Sequence, residues 1–185
     1  MAIMEDHFGY LWLGTHYGID KFDGIQFQSI QEGLSGNFIS DLLEDREGKI
    51  WIATENGLDY HDGLELKILS NREGMSNHKF SALEEDKEGR VWVGTNGDGI
   101  WTYENENFTH NKFDPPATFQ KSNVEDILCD SKGNVWIGTL EGLFLWENSS
   151  SIRLFQDSIL SVLSLYEDNT GNFWIVTESG ISKID

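Results

Sequence analysis

Basic residues, cysteine and proline are scarce in this sequence of 185 residues, which has 13 Lys or Arg, one Cys and two Pro. Because 32 Asp and Glu oppose the few basic residues, the formal net charge is -19, and such a field repels nucleic acids and anionic membrane surfaces. The single cysteine, Cys129, excludes an intrachain disulfide framework. Neither an apolar stretch long enough to span a membrane nor a recognisable secretion signal is present. The acidic composition is compatible with neutral and cationic ligands.

What the sequence does contain is a phrase of thirteen residues that recurs at positions 3–15, 42–54, 83–95, 127–139 and 165–177. Every copy has Asp at its fourth position, Gly at its seventh, Trp at its tenth and Thr at its thirteenth. The structural residues of the repeat are Asp6, Asp45, Asp86, Asp130 and Asp168; Gly9, Gly48, Gly89, Gly133 and Gly171; and Trp12, Trp51, Trp92, Trp136 and Trp174.

Neighbouring motif tryptophans lie 38 to 44 residues apart. A period near forty residues with strands inside it is typical of the four-stranded blades of a β-propeller. The Asp-x-x-Gly segment predicts a hairpin turn in each copy, because Asp can bond forward amides and Gly can adopt positive φ. We therefore predict an all-β fold, a single β-propeller region of four-stranded antiparallel blades, with about four and a half blades in this chain. The predicted repeats cover approximately residues 1–30, 31–70, 71–113, 114–156 and 157–185.

The motif tryptophans could pack between blades or form an aromatic platform for a ligand. Burial of one indole of about 150–250 Å² contributes roughly 4–6 kcal/mol. Exposing all five would therefore cost more than the net stability of a typical domain, so we interpret them as packing residues. The residue two positions after Trp is Gly, Ala, Gly, Gly and Val in the five copies, and we expect its small size to leave room for the indole.

The phrase D-x-x-G-x-[LIVF]-W-[ILV]-[GAV]-T, followed in most copies by x-x-G-[LI], resembles the two-component regulator propeller repeat of bacterial hybrid sensor kinases. The resemblance covers essentially the whole chain. It implies seven-bladed propellers that form a periplasmic sensor region, often two in tandem, followed by an immunoglobulin-like domain, a membrane helix and a kinase. Carbohydrate fragments are the ligands that it implies. Since the chain has no kinase motif, the resemblance places the signalling output in downstream kinase domains of the parent protein.

Ligands of propellers usually meet the face formed by the turns between second and third strands and by the loops that lead into each first strand. The candidate ligand-binding residues on this face are His16, Tyr17, Glu55, Asn56, His78, Asn96, Asp98, Glu141 and Glu178. The loops at 35–37, 76–78 and 114–123 belong to the same face. This polar and aromatic variety suits sugar hydroxyls, and it also suits ordinary solvated turns.

The sequence points to no catalytic, metal or cofactor site. Glu84 and Glu85 form an acidic pair of the kind that glycosidases use, but a carboxylate recurs at that position in other copies, and catalytic groups are rarely repeated in every blade. The turn around Asp98 has an extra residue but lacks the alternating oxygen ligands of a calcium loop. The five histidines show no metal-ligand spacing. Cys129 stands where the other copies have Glu and is interpreted as a packing variant.

Three functions remain open: a ligand-sensing region of a two-component regulator, a propeller enzyme such as a lyase or a polysaccharide-cleaving protein, and a pure protein-interaction scaffold. The five motif copies contain no candidate catalytic group that occurs only once, and this favours the ligand-sensing function. We predict a non-enzymatic, periplasmic sensor region that binds a carbohydrate-type ligand. An incomplete set of blades also predicts self-association through open blade faces.

Overall fold

The computed structural model of the chain describes residues 1–69, 79–111, 119–148, 151–155 and 161–184. The chain divides into two compact units, Met1–Leu83 and Glu84–Asp185. The described residues form five antiparallel sheets, and the prediction of an all-β fold built from four-stranded blades is confirmed. None of the described residues belongs to a helix that is both long and apolar enough to cross a membrane.

Two complete sheets lie in the first unit, and in each of them the strands pair in sequence order. Repeat 1 consists of β1 (Ala2–Glu5), β2 (Leu11–Thr15), β3 (Gly18–Phe22) and β4 (Phe27–Ile30). Repeat 2 consists of β5 (Ile39–Glu44), β6 (Ile50–Thr54), β7 (Leu58–His61) and β8 (Leu66–Ile68).

The remaining strands form three further sheets, also paired in sequence order. Repeat 3 has β9 (Phe80–Glu85), within which the unit boundary falls, β10 (Val91–Thr95), β11 (Ile100–Glu104) and β12 (Asn107–Asn111). A 3-10 turn at Phe119–Lys121 precedes repeat 4, which has β13 (Val124–Cys129), β14 (Val135–Thr139), β15 (Gly142–Asn148) and β16 (Ser151–Leu154). Repeat 5 has three described strands, β17 (Val162–Glu167), β18 (Phe173–Thr177) and β19 (Gly180–Ile184).

The motif aspartate organises the first hairpin of every repeat. In repeat 2, Oδ1 of Asp45 accepts the backbone N–H groups of Glu47 and Lys49 at 3.0 and 2.9 Å. Its Oδ2 accepts the indole N–H of Trp51 at 2.8 Å. The motif glycine closes the same turn with a positive φ, which is +81° at Gly48. The Asp and Trp of the motif are therefore direct partners. The same indole bonds occur in the other repeats, from Trp12 to Asp6, Trp92 to Asp86, Trp136 to Asp130 and Trp174 to Asp168.

In repeats 1 and 4, the face of the sheet that carries the motif tryptophan packs on the next repeat of the same unit. In the first unit, Trp12 and Ile19 of repeat 1 share a buried cluster with Leu42, Ile50 and Ile52 of repeat 2. Trp12, Trp51 and Trp92 are buried, whereas Trp136 and Trp174 are half-buried. In the second unit, the half-buried Trp136 of repeat 4 packs against Leu165 and Ile175 of repeat 5.

The small residue two positions after Trp leaves room for a side chain of the next repeat. A methyl group at Gly14 would lie 2.6 Å from Cγ2 of Ile39, the first residue of repeat 2. At Gly138 it would lie 2.7 Å from Cγ1 of Val162, the first strand residue of repeat 5. The expectation that these positions leave room for the indole is thus incomplete, because they form a notch that the next repeat fills.

Carboxylates also join consecutive repeats. Glu44 of repeat 2 accepts the backbone N–H of His7, in the repeat 1 turn, at 2.8 Å. Glu167 of repeat 5 likewise accepts the N–H of Ser131, in the repeat 4 turn, at 2.6 Å. On the strands, Oδ2 of Asp126 accepts the N–H of Leu165 at 2.7 Å. In repeats 2 and 5, the Glu at the third position of the motif therefore contacts the preceding repeat.

Candidate ligand-binding face

The turns between second and third strands are shaped by the motif threonine. In repeat 2, the hydroxyl of Thr54 donates to the carbonyl oxygen of Gly57 at 2.9 Å and accepts the N–H groups of Asn56 and Gly57. The hydroxyl of Thr139 does the same for Glu141 and Gly142 in repeat 4. The threonine hydroxyl thus satisfies backbone groups inside the turn. These turns are called reversal turns below.

Each reversal turn is bonded to the loop that leads into the next repeat, wherever both are described in one unit. The N–H of Gly18 donates to the carbonyl of Asn37 at 2.8 Å. In the second unit, Gly97 donates to Ser122 at 3.2 Å, and Ser161 donates to Leu140 at 2.9 Å. The reversal turns and the lead-in loops therefore form a shared surface in each unit, which is called the loop face here.

In the first unit, the loop face brings together four of the candidate residues. The exposed His16 ring lies 4.6 Å from the ring of Phe38, centroid to centroid, with the planes inclined by 33°. Tyr17 follows His16 in the same turn, and 78% of its surface is exposed. Glu55 accepts the N–H groups of Asn37 and Phe38 at 3.2 and 2.6 Å. Asn56, next to Glu55, is exposed at the tip of the second turn.

Beneath this surface, Asp59 anchors the start of the lead-in loop. Its Oδ2 accepts the backbone N–H and the hydroxyl of Ser35 at 2.8 and 2.9 Å, and the Ser35 hydroxyl lies 3.0 Å from that of Thr54. Asp59 is 0% exposed, and its Oδ1 has no hydrogen-bond partner among the residues that the structure describes. Burial raises the pKa of Asp59, and the two bonds from Ser35 oppose that rise only in part. The loop from Ser35 to Phe38 is thus held at both ends.

In the second unit, Asn96 and Asp98 lie in the reversal turn of repeat 3. Asn96 forms an isolated antiparallel bridge with Asn123 of the lead-in loop to repeat 4. The carboxylate of Asp98 accepts the indole N–H of Trp101 at 3.1 Å. The ring of Trp101 is stacked on that of His110 at 4.6 Å and 11°. Asp98 is therefore engaged with its own repeat.

Glu141 and Glu178 occupy the exposed tips of the next two reversal turns. Glu141 lies close enough to Glu125 to influence it: burial first, and then the negative charge of Glu141, raise the pKa of Glu125. Glu125 is the extra residue of a bulge between Val124 and Asp126, which turns its side chain out of the strand register. His78, another candidate residue, lies outside the described residues.

The residues that raised catalytic or metal alternatives have structural partners. Glu84 accepts the backbone N–H of Cys129 at 3.0 Å. Burial raises the pKa of the Cys129 thiol, and the thiol therefore stays protonated. Among the residues that the structure describes, no three His, Cys, Asp or Glu side chains are grouped as metal ligands.

Sequence reasoning missed Phe38 on the loop face and Glu125 in the strand beside it. Phe38 lies one position beyond the loop assigned at 35–37 and is 39% exposed. The sequence pattern alone does not tell whether such a residue belongs to the exposed loop or to the strand that follows it. Glu125 was hidden because a bulge does not change the alternation of residue types in a recognisable way. The signal that could have identified Phe38 is its position, since it is an aromatic residue directly before a buried first strand.

Comparison with protein families matches the model described as two component regulator propeller to residues 33–56, 74–97, 118–141 and 156–179, just over half of the chain. Comparison with the curated proteins finds no match.

Solved structures share the fold at low sequence identity. An extracellular domain assigned to a hybrid two-component system of B. thetaiotaomicron aligns with a TM-score of 0.83 and 21% identity, over 98% of this chain and 26% of that domain. PorZ, a surface component of the type-IX secretion system of Porphyromonas gingivalis, aligns with a TM-score of 0.73 and 21% identity, over 100% of this chain and 31% of PorZ. Virginiamycin B lyase of Staphylococcus aureus aligns with a TM-score of 0.76 and 15% identity, over 100% of this chain and 69% of the lyase. The chain thus spans about a quarter of the hybrid-system domain, and these similarities show the fold.

Proposed function

Because this chain belongs to the two-component regulator propeller family, we propose that it is a ligand-sensing propeller region that binds a carbohydrate-type ligand outside the cytoplasm. Occupancy would be passed to kinase domains elsewhere in the parent protein. The observation that carries the proposal is the separation of roles within each repeat. The Asp, Trp and Gly of the motif bond one another and its Thr bonds the backbone of the reversal turn, whereas the tips of the reversal turns vary and remain at the surface.

The similarity to an extracellular domain of a hybrid two-component system supports a sensory role. The acidic composition supports a neutral ligand over an anionic one, since 32 acidic residues oppose 13 basic residues. Exposed Tyr17 and Asn56 of the first unit offer the mixture of aromatic and amide groups that a sugar requires.

An enzymatic role is the second candidate, because a lyase shares the fold. Catalysis would need an acid, a base or a metal cluster that occurs once on the loop face. The acidic groups with a described partner there, Asp98 and Glu55, are engaged by an indole and by backbone amides. The proposal is therefore of binding without turnover.

Thermal-shift measurements on the whole chain against a panel of neutral oligosaccharides test this function. Binding raises the midpoint of unfolding, and the rise grows with ligand concentration. Chromatography of each glycan after incubation should return it intact. A panel without any shift contradicts the proposal, and cleavage of a glycan establishes the enzymatic alternative.

Exposed sheet faces of repeats 1 and 5 support self-association. In repeat 5, Tyr166 and Lys183 flank Trp174 on one face, which also holds Ile181, and Tyr166 and Ile181 are 60% and 70% exposed. In repeat 1, the face opposite Trp12 exposes Ile3 and Phe27. Within each unit, a tryptophan face packs on the opposite face of the next repeat. A second copy of this chain therefore fits these surfaces, with the tryptophan face of one copy on repeat 1 of the other.

Light scattering coupled to size-exclusion chromatography tests this association. We expect a mass above the 21.1 kDa of one chain, which falls towards it in the Tyr166→Glu variant. A wild-type mass of one chain at all concentrations contradicts self-association and leaves ligand binding untouched.

A further inference from the structure

The loop face of the first unit carries a feature that the repeat does not require: two exposed aromatic residues on turns that are rigidly held. Phe38 and Tyr17 belong to different repeats, yet the bond between Gly18 and Asn37 joins their turns at 2.8 Å. His16 supports Phe38 from one side, with 4.6 Å between the ring centroids. Aromatic surface exposed beside polar groups marks a binding surface, because leaving it in water costs free energy.

The loop that carries Phe38 is preorganised. Glu55 accepts the N–H groups of Asn37 and Phe38, and its own N–H donates to the carbonyl of Phe38 at 3.2 Å. A methyl group at Gly36 would lie 2.7 Å from Oε2 of Glu55, so the carboxylate sits directly against the backbone. Ser35 is fixed by the buried Asp59. Little conformational entropy remains to be lost when a ligand contacts this loop.

The chemistry of the surroundings restricts the ligand. The segments 15–18, 34–38 and 54–57 contain no Lys or Arg, and their single charged residue is Glu55. Both carboxylate oxygens of Glu55 are directed to backbone amides, which makes it a positioning residue. The exposed side chains of Asn37 and Asn56 present amide donors and acceptors on the same loop face. An aromatic face with an amide rim complements a molecule that has an apolar C–H face and hydroxyl edges.

From this arrangement we infer that Tyr17 and Phe38 form a stacking platform for a neutral sugar ring, with Asn37 and Asn56 bonding its hydroxyl groups. The inference rests on the proposed function and locates it in the first unit. Anionic sugars such as uronates bind there more weakly, because Glu55 and the net charge of -19 repel them.

The test uses the whole chain and isothermal titration with neutral hexose hexasaccharides of the cello, manno and malto types, together with an oligogalacturonate of equal length. Tyr17→Ala and Phe38→Ala are compared with the wild type. Phe8→Ala is the matched control, since Phe8 is 74% exposed in the hairpin turn between β1 and β2, outside the three loop-face segments. Phe38→Trp preserves a stacking ring. Because Tyr17 is 78% exposed, its replacement leaves the fold intact even if Phe38→Ala unfolds the loop.

We expect at least one neutral hexasaccharide to bind, with a loss of about tenfold or more in Tyr17→Ala and Phe38→Ala, corresponding to about 1.4 kcal/mol. Phe8→Ala and Phe38→Trp should retain wild-type affinity, and the oligogalacturonate should bind at least about tenfold more weakly. Neutral sugars that bind the wild type and both alanine variants equally overturn the platform while the proposed function stands. Equal binding of the oligogalacturonate also overturns it. If no neutral sugar binds the wild type, the platform and the proposed function fail together.

Discussion

The indole Nε1 of Trp51 donates a 2.8 Å hydrogen bond to Oδ2 of Asp45, and both side chains are buried. The two residues are six positions apart and stand on opposite sides of a tight turn. The bond therefore fixes the first hairpin of the repeat and the orientation of the indole. It explains why Asp and Trp recur together in every copy of the motif.

Replacing Trp51 by Phe should lower the free energy of unfolding by about 1–3 kcal/mol, because a buried carboxylate oxygen loses its donor. Urea denaturation of the variant measures this loss. Trp174→Phe is the matched control, since the same bond at Trp174 is half-buried and the loss there should be smaller. Equal losses at the two positions would contradict a role that depends on burial.

We expect the ionisation of Asp86 to contribute to the loss of stability in acid. Burial alone raises its pKa, but hydrogen bonds from Trp92 and Arg90 and the charge of Arg90 outweigh burial and hold the pKa below its usual value. Stability from such a group is present above the unfolded pKa of about 3.9 and is lost as the pH falls through the folded pKa. The difference in unfolding free energy between the wild type and Asp86→Asn should therefore be largest at pH 7 and shrink below about pH 4.

Chemical denaturation at several pH values measures the Asp86 effect. Glu88→Gln is the control at pH 7, because it removes a negative charge from an exposed side chain of the same turn and should cost little. A difference between the wild type and Asp86→Asn that does not vary with pH would show that the folded pKa of Asp86 is not depressed.

For Asp59 we expect the opposite dependence of stability on pH. Burial raises its pKa, so its contribution to stability is complete below about pH 3.9 and is lost as the pH rises through the folded pKa. The stability of Asp59→Asn relative to the wild type should therefore improve between pH 4 and pH 7, whatever its absolute value. Asn56→Ala, at a neutral exposed residue of the adjacent turn, should shift the curve by a constant amount. Relative stability of Asp59→Asn that declines over the same range would refute the raised pKa.

The notch between repeats 4 and 5 predicts a paired effect. Gly138→Ala should destabilise the chain by about 1–3 kcal/mol, because the new methyl group meets Val162 at 2.7 Å. Val162→Ala should cost stability alone but relieve the clash, so that the double variant loses less than the sum of the two. Thermal or urea unfolding of the four proteins measures this coupling. Strict additivity would mean that Gly138 does not accommodate Val162.

The sequence predicts the blades well because their signals are local and repeated. The turn at Asp45 and Gly48 and the alternation around Trp51 each require a particular residue type within a few positions. The partnership of Asp45 with Trp51 was not predicted, since a turn-forming Asp already has a sufficient local explanation. The notch at Gly14 was interpreted only within its own strand, because its occupant, Ile39, lies in the next repeat.

The loop face was predictable as a surface but not in detail. Topology alone places His16 and Glu55 on turns at the same end of neighbouring sheets. Which side chains remain free there depends on hydrogen bonds that span 17 or more residues, such as those from Asn37 and Phe38 to Glu55. Phe38 was missed for this reason, and the ligand roles of His16, Tyr17, Asn56, Asn96, Glu141 and Glu178 stay predictions.

Equilibrium dialysis of the whole chain against neutral oligosaccharides, followed by chromatography of the glycan from both chambers, tests the central claim most directly. Recognition without catalysis predicts that at least one glycan accumulates on the protein side in a saturable manner and keeps its original length. Equal concentrations in the two chambers for every glycan, or the appearance of shorter products, would contradict it.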